Sequence, residues 1–170
     1  LPLSSLQFSA GQVSDACHGL RGMYSDHREV RGIVEVLSLQ VFKCPDRFRA
    51  SHVSTCLHAL QHKSSDHVEV RRLLGALLVK LSACDEPLSS SEFAQGLAGL
   101  RGLRSEHIKV KKLLNWLTLR LDSSPLALTA EELSGSLYGL QAMSSEHSTV
   151  RRLLQALASN QKKTHPSELS

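Results

Sequence analysis

Aromatic residues and closely spaced cysteines are scarce in this sequence, and each shortage narrows the possible structures. Phe, Trp and Tyr make up 4% of the 170 residues, whereas Leu recurs throughout, a balance that favours helix packing over a sandwich of aromatic and β-branched strands. None of the usual zinc spacings occurs, so we interpret the cysteines as free thiols in a reducing compartment. The cysteines are Cys17, Cys44, Cys56 and Cys84.

Long apolar runs and a strong net charge are also missing. No segment approaches the roughly 18 apolar residues that a membrane-spanning helix needs, so we expect no membrane span. The formal charge is +4 and the isoelectric point is near 9.0, values that suit an anionic partner but are too mild to identify one. A hydrophobic content of 41% is ordinary for a globular domain with a substantial core.

An internal repeat of forty residues organises the chain. One leucine, one histidine and one valine recur in a fixed register without any gap. These residues are Leu20, Leu60, Leu100 and Leu140; His27, His67, His107 and His147; and Val30, Val70, Val110 and Val150. We therefore treat residues 1–170 as a single repeat domain. Its repeats span about 8–47, 48–87, 88–127 and 128–159, and residues 160–170 form a C-terminal cap or the start of a fifth repeat.

Each repeat contains two amphipathic segments, which predict two helices. In the first repeat, one helix is expected at about 10–23, and Ser9, Ser89 and Thr129 are available as N-caps in three of the repeats. The second helix is expected to begin after Ser25, whose side chain would cap it, and proline ends each second helix. The pattern predicts an all-α protein, a right-handed α-solenoid of four stacked helix-turn-helix repeats.

Small residues occupy one flank of each first helix, and this flank includes Gly19, Gly99 and Gly139. Because glycine inside a helix costs about 1 kcal/mol relative to Ala, its recurrence predicts a close contact between neighbouring hairpins at this position. Gly102 is expected on the exposed side instead. Substitution of Gly99 by Leu is therefore expected to be far more damaging than the same change at Gly102.

A pair of cations recurs near the start of the second helices and is the best indication of a binding surface. The first member of each pair is expected on the flank of the buried stripe, and the second is expected to point away from the core. The pairs could instead form a solvated face or bond acidic residues of adjacent repeats. We name the set Arg31, Arg71, Arg72, Lys111, Lys112, Arg151 and Arg152 the basic ladder.

The exposed face of the first helices varies between repeats and is a second candidate surface. Repeat proteins recognise partners through a variable face on an invariant scaffold, although ordinary drift of exposed residues would look the same. Alternating Arg and Gln would supply hydrogen-bond donors, and His or Tyr could stack on nucleobases. The candidate residues are His18, Arg21, His58, Gln61, Arg101, Tyr138 and Gln141.

The recurring histidines do not predict a metal site. Equivalent residues of stacked helices lie about 8–10 Å apart, whereas the ligands of one zinc ion lie about 2 Å from it. We interpret the histidines as boundary residues that bond the preceding turn or the neighbouring repeat. The sequence also lacks a nucleophile motif, so we expect no catalytic activity, no metal and no cofactor.

The repeated motif resembles a known class of helical repeats. Its four copies read GLRGMYSDHREVRGIV, ALQHKSSDHVEVRRLL, GLRGLRSEHIKVKKLL and GLQAMSSEHSTVRRLL. The motif is similar to the octotricopeptide repeats, of roughly 38–40 residues, of algal organellar proteins. The resemblance covers residues 8–159 and implies an organelle, in particular a plastid, and either docking within a large assembly or RNA binding.

Two functional hypotheses follow from the resemblance and the two surfaces. In the first, the chain is a scaffold or linker that binds other protein subunits of a larger complex, such as a photosynthetic assembly. In the second, it is an organellar RNA-binding factor that uses the basic ladder and the first-helix face. We favour the scaffold, because the net charge is modest and aromatic groups that could stack on bases are scarce.

Overall fold

The protein is all-α in the computed structural model, which describes residues 6–166. Eight α-helices and no strand occur in this part of the chain, as the periodicity predicts. The helices are α1 (Ala10–Gly19), α2 (Arg28–Lys43), α3 (Ala50–His58), α4 (Val68–Ser82), α5 (Ser90–Ala98), α6 (Ile108–Ser123), α7 (Ala130–Tyr138) and α8 (Ser148–Thr164). A short 3-10 helix, Ala59–His62, follows α3.

Three of the four first helices begin at the predicted N-caps. The side chains of Ser9, Ser89 and Thr129 each accept a hydrogen bond from the main-chain N–H three residues further on. The Gln or Glu at that position in turn accepts, through its side-chain oxygen, from the main-chain N–H of the N-cap residue. Each capping box satisfies amide groups that the first turn leaves free. Helix α3 begins after Arg49, whose N–H donates to Nδ1 of His52 at 3.1 Å.

The predicted boundaries between the helices of each hairpin are wrong in two ways. Helix α1 ends at Gly19 rather than near residue 23, and the chain turns before α2 begins at Arg28. The residue before α2 is His27, which makes no side-chain cap bond, so Ser25 is not the N-cap. The serine hydroxyl serves another purpose, because it accepts a hydrogen bond from the next hairpin.

The odd-numbered helices pack in one series and the even-numbered helices in another. Helix α1 packs on α3, α3 on α5 and α5 on α7, while α2 packs on α4, α4 on α6 and α6 on α8. The apolar stripes of the second helices are buried in one continuous cluster. They comprise Val70, Leu73, Leu74, Leu77 and Leu81 in α4, and Val110, Leu113, Leu114, Leu117 and Leu121 in α6.

The small flank of the first helices is a close contact between hairpins, as predicted. A Cβ atom added to Gly99 would lie 2.1 Å from the carbonyl oxygen of Leu57, and one added to Gly139 would lie 2.0 Å from that of Leu97. The expectation for Gly102 is wrong, because a Cβ atom there would lie 2.4 Å from the carbonyl oxygen of Lys63. The turn after α5 therefore approaches the preceding hairpin as closely as α5 itself does.

Helix α8 ends before a proline, as the other second helices do. Residues 160–164 complete this helix rather than forming a separate cap. Residues 167–170 lie outside the described residues, so the start of a fifth repeat stays a prediction. None of the helices between residues 6 and 166 is both long enough and apolar enough to cross a membrane.

Candidate interaction surfaces

The recurring serine and histidine join neighbouring hairpins. The Oγ atom of Ser25 accepts a hydrogen bond from the N–H of Ser64 at 2.8 Å and lies 3.0 Å from Nδ1 of His67. The same pair of contacts links Ser105 to Ser144 and His147, at 2.9 and 2.7 Å. These contacts confirm the interpretation of His67 and His147 as residues that bond the neighbouring repeat.

His107, the recurring histidine between the second and third hairpins, contacts an acidic cluster instead of a serine. Nε2 of His107 lies 3.3 Å from Oδ1 of Asp66, and Asp66, Glu106 and His107 each place one possible metal ligand within 4.8 Å of the others. Arg104 also contacts this cluster, with nitrogen–oxygen distances of 3.4 Å to Asp66 and 3.3 Å to Glu106. A metal ion would therefore meet a guanidinium that already offsets part of the negative charge of the two carboxylates. The hydrogen bond from His107 and the charge of Arg104 lower the pKa of Asp66.

The first members of the basic ladder bond the turn at the start of their own helices. Nη1 of Arg71 donates to the carbonyl oxygens of Ser65 and Asp66, at 2.7 and 2.9 Å. Arg31 and Arg151 make the equivalent pair of hydrogen bonds in the first and fourth hairpins. These guanidinium groups hold the turn in place, so part of the predicted binding surface has a structural role.

The second members of the basic ladder are exposed, as the helical wheel predicts. Arg72, Lys112 and Arg152 all point to solvent. Arg72 also forms an ion pair with Glu35 of the preceding hairpin, and both side chains are about half exposed. Since exposed ion pairs contribute little stability, this contact leaves the arginine available to a partner.

A row of aliphatic side chains accompanies these cations on the same exposed face. Leu39, Val79 and Leu119 occupy one repeat position and are 54%, 59% and 62% exposed. The row lies seven residues beyond the exposed cation position, which is two helical turns along the same face. We name these three residues the apolar row. The sequence could have revealed it, because the forty-residue register applies to exposed apolar positions as well as to charged ones.

Several residues predicted on the first-helix face line one shallow depression. Nη2 of Arg101 donates to Oε1 of Gln61 at 2.6 Å, and the guanidinium lies 5.6 Å from the centre of the Tyr138 ring. Tyr24 and His62, which were not predicted, stack there with ring centres 4.4 Å apart. Gln141 completes this lining. We name this surface the first-helix surface.

The remaining predicted residues of that face do not line the depression. Arg21 donates to the carbonyl oxygen of His18 at 3.0 Å, and Nδ1 of His58 lies 3.2 Å from the carbonyl oxygen of Gln95.

Within the depression, burial and the nearby charges of Arg101 and Lys63 lower the pKa of His62. A lower pKa favours the neutral ring, which suits its stacked position.

The four cysteines are buried free thiols. A hydrogen bond with Cys17, together with burial, raises the pKa of Cys56 well above its ordinary value. Because the thiolate is the nucleophilic form, these surroundings make Cys56 unreactive. The expected lack of catalytic activity stays a prediction.

Comparison with protein-family models, curated proteins and solved structures finds no match to this chain. The resemblance to octotricopeptide repeats therefore stays a prediction. The exposed face of the second helices and the first-helix surface are the two candidate binding surfaces of the described residues.

Proposed function

We propose that this chain is a non-enzymatic helical-repeat scaffold, a right-handed α-solenoid of four stacked hairpins, which binds a protein subunit of a larger assembly. The series of odd-numbered and even-numbered helices supports the solenoid, because each helix packs on its counterpart in the next repeat. Following the resemblance, we place the assembly in a plastid. The partner would bind the exposed face of the even-numbered helices.

The apolar row is the observation that carries this proposal. Leu39, Val79 and Leu119 expose aliphatic surface at the same repeat position on the even-numbered helices α2, α4 and α6. Burying an exposed Val or Leu side chain completely contributes about 1.5–3 kcal/mol, a gain that a nucleic acid backbone does not offer. The exposed cations Arg72 and Lys112 lie two turns away on the same helices. A segment with apolar and acidic side chains, such as an amphipathic acidic helix, fits both the apolar row and the exposed cations.

Affinity capture with a variant of the apolar row tests the proposal. Val79→Ser combined with Leu119→Ser should preserve helicity, because both side chains are exposed, and should reduce capture of protein partners identified by mass spectrometry. Tyr138→Ser, on the first-helix surface, is the matched control and should retain them. Nuclease treatment should not release the partner. Equal capture by the row variant and the wild type would remove the apolar row from the binding surface.

RNA binding remains the second candidate, and the first-helix surface favours it. Arg101 lies over the ring of Tyr138, and Tyr24 stacks on His62. Stacked rings and guanidinium groups are the platforms on which single-stranded bases pack. In this case the effects of the two variants would be reversed: Tyr138→Ser would lose binding, nuclease would release the captured material, and the apolar row variant would behave like the wild type.

A further inference from the structure

The exposed sides of α4 and α6 carry the same pattern of side chains. Positions separated in turn by four, three and four residues lie on one face of a helix, here the face opposite the core. They hold Val68, Arg72, Gly75 and Val79 in α4, and Ile108, Lys112, Asn115 and Leu119 in α6. Val68 and Ile108 are 43% and 65% exposed. Each helix therefore exposes an aliphatic side chain at both ends of this face and a cation between them.

The first and fourth hairpins do not share this pattern. At the same positions the first hairpin has Arg28, Gly32, Glu35 and Leu39, and the fourth hairpin has Ser148, Arg152, Gln155 and Ser159. Neither set has an apolar residue at both ends. The pattern thus belongs to the two central hairpins, on the side that a partner would contact. We name the surface formed by the eight residues of α4 and α6 the central groove.

Lys109 of α6 lies across the central groove against Gly75 of α4. A Cβ atom added to Gly75 would lie 2.9 Å from Nζ of Lys109 and 3.1 Å from its Cε, so the lysine occupies the space that a side chain at residue 75 would fill. The other hairpins have Glu35, Asn115 and Gln155 at this position. Glycine is among the least favourable residues inside a helix, and here it leaves room for the ammonium group between the two helices.

The cations of the central groove are available to an anion. None of the ion pairs between described residues includes Lys109 or Lys112. Arg72 pairs with Glu35, but both side chains are about half exposed, so a partner can replace this contact at little cost. Arg72 and Lys109 line one depression together with Val68 and Ile108. The eight residues of the groove include no acidic side chain.

We propose that the central groove binds one acidic amphipathic helix of the partner protein. The carboxylates of this helix would contact Arg72, Lys109 and Lys112, and its apolar side chains would cover the aliphatic pair at each end of the groove. The two ends are eleven residues apart along each helix, which corresponds to about 16 Å or about three helical turns. This inference rests on the proposed function and names the kind of segment that the scaffold binds.

The order of charged and apolar groups favours a protein segment over RNA. A phosphate backbone would satisfy the cations, but it would leave the aliphatic pairs at both ends of the groove uncovered. An amphipathic helix can cover both kinds of group, because its side chains at i, i+4, i+7 and i+11 share one face. The groove repeats this same spacing on α4 and α6.

Trp116 supplies a reporter at one end of the groove. It is the one tryptophan of the chain, and it packs against the apolar core while remaining partly exposed. The guanidinium of Arg120 lies 4.8 Å from the centre of its ring, and Leu119 lies about one turn further along α6. A helix bound on Leu119 would exclude water from the indole ring, so the fluorescence emission should shift to shorter wavelength.

Binding of a synthetic peptide to the full chain tests the proposal. The probe is a fluorescein-labelled peptide of about 15 residues, cross-linked between side chains so that it stays helical, with leucines eleven residues apart and two glutamates between them. Its anisotropy should show saturable binding at micromolar concentrations, and the emission of Trp116 should shift with it. A peptide with glutamine in place of both glutamates should bind about tenfold more weakly.

Variants of the groove locate the bound peptide. Gly75→Gln should displace Lys109 and fill the groove, Lys109→Ala removes the cation, and Val68→Ser with Ile108→Ser removes one apolar end. Each should weaken peptide binding about tenfold and leave the melting temperature nearly unchanged, because the changes lie on the exposed side of the helices. Gly32→Gln is the matched control: a Cβ atom at Gly32 of α2 meets nothing within 4 Å, so this variant should bind like the wild type.

The outcomes separate this inference from the proposed function. A wild type that leaves the anisotropy unchanged overturns the central groove, as does a Gly75→Gln variant that binds the peptide as tightly as the wild type. If Val79→Ser with Leu119→Ser still loses the captured partner in that case, the scaffold stands without this groove. If neither pair of serine substitutions alters capture, the proposed function fails as well. An oligouridylate that binds in place of the peptide, and that Gly75→Gln weakens, would overturn the acidic helix in favour of RNA.

Discussion

The Oγ atom of Ser105 and the Nδ1 atom of His147 lie 2.7 Å apart, although the residues are 42 positions apart in the sequence. The contact crosses from the turn of one hairpin to the start of the second helix in the next. Ser25 and His67 form the same contact two junctions earlier. The most regular polar residues of the repeat therefore hold hairpins together rather than forming a site for a ligand.

Removing one of these serines should destabilise the stack. Ser105→Ala deletes the acceptor for the Ser144 N–H and the contact with His147, and a typical hydrogen bond contributes about 0.5–1.5 kcal/mol. We expect a loss of about 1–3 kcal/mol in the free energy of unfolding, measured by urea denaturation at low protein concentration. Ser145→Ala, at the exposed counterpart, should change the value by less than about 0.5 kcal/mol. Equal losses would mean that the junction contact adds no stability.

Glycine substitutions should separate close contacts from open positions. Gly99→Ala and Gly102→Ala would each place a Cβ atom within 2.4 Å of a main-chain oxygen, so each should cost at least about 1–3 kcal/mol. Gly32→Ala meets nothing and should stabilise α2 by up to about 1 kcal/mol through helix propensity. Thermal melts of the three variants check this order. An unchanged melting temperature for Gly102→Ala would support the sequence-based prediction that Gly102 is exposed.

The sequence predicts the helices and their buried apolar faces well, because the forty-residue repeat and the helical spacing of apolar residues indicate the same positions. It does not predict the turn between the helices of a hairpin. Ser25 has the right chemistry for an N-cap, but its hydroxyl is held by Ser64 of the next hairpin. Gly102 was misplaced for the same reason, since a helical wheel treats a turn as helix. Such contacts between repeats depend on tertiary packing.

Lys63 shows a second limit of sequence reasoning. It is a buried lysine at the repeat position where Met23, Leu103 and Met143 stand, and its Nζ atom donates to the carbonyl oxygens of Leu20 at 2.7 Å and Met23 at 2.6 Å. A lone lysine in the sequence suggests an exposed charge. Here the cation bonds main-chain oxygens just after α1, near the negative end of the helix dipole.

The stability of the protein should depend on pH through Lys63. Burial lowers the pKa of Lys63 from 10.5 to about 8. Between these values the unfolded chain binds more protons than the folded one, so this group makes stability rise with pH across that window. Lys63→Met removes the contribution, and the variant should gain less stability than the wild type over the same window in urea titrations. Cys56 titrates too, so the difference between the two proteins is the measured quantity. Parallel pH profiles would contradict the lowered pKa.

The last prediction separates the two members of the basic ladder. Arg71→Glu should lower stability, because it removes the two hydrogen bonds from Nη1 to the carbonyl oxygens of Ser65 and Asp66. Reversing the exposed members, Arg72→Glu with Lys112→Glu, should leave the circular dichroism spectrum and melting temperature nearly unchanged. Partner capture should nevertheless fall, because an acidic segment would meet like charges.

The dependence of capture on salt then identifies the partner. For a protein partner, reversal of Arg72 and Lys112 should mainly slow association, and the effect of salt should be shallow. For single-stranded RNA, each lost phosphate contact should reduce the slope of log affinity against log salt by about 0.7. Unchanged capture by the folded double variant would show that these cations form an ordinary solvated face. The binding surface would then be the apolar row alone or the first-helix surface, and capture by Val79→Ser with Leu119→Ser and by Arg101→Ala would distinguish the two.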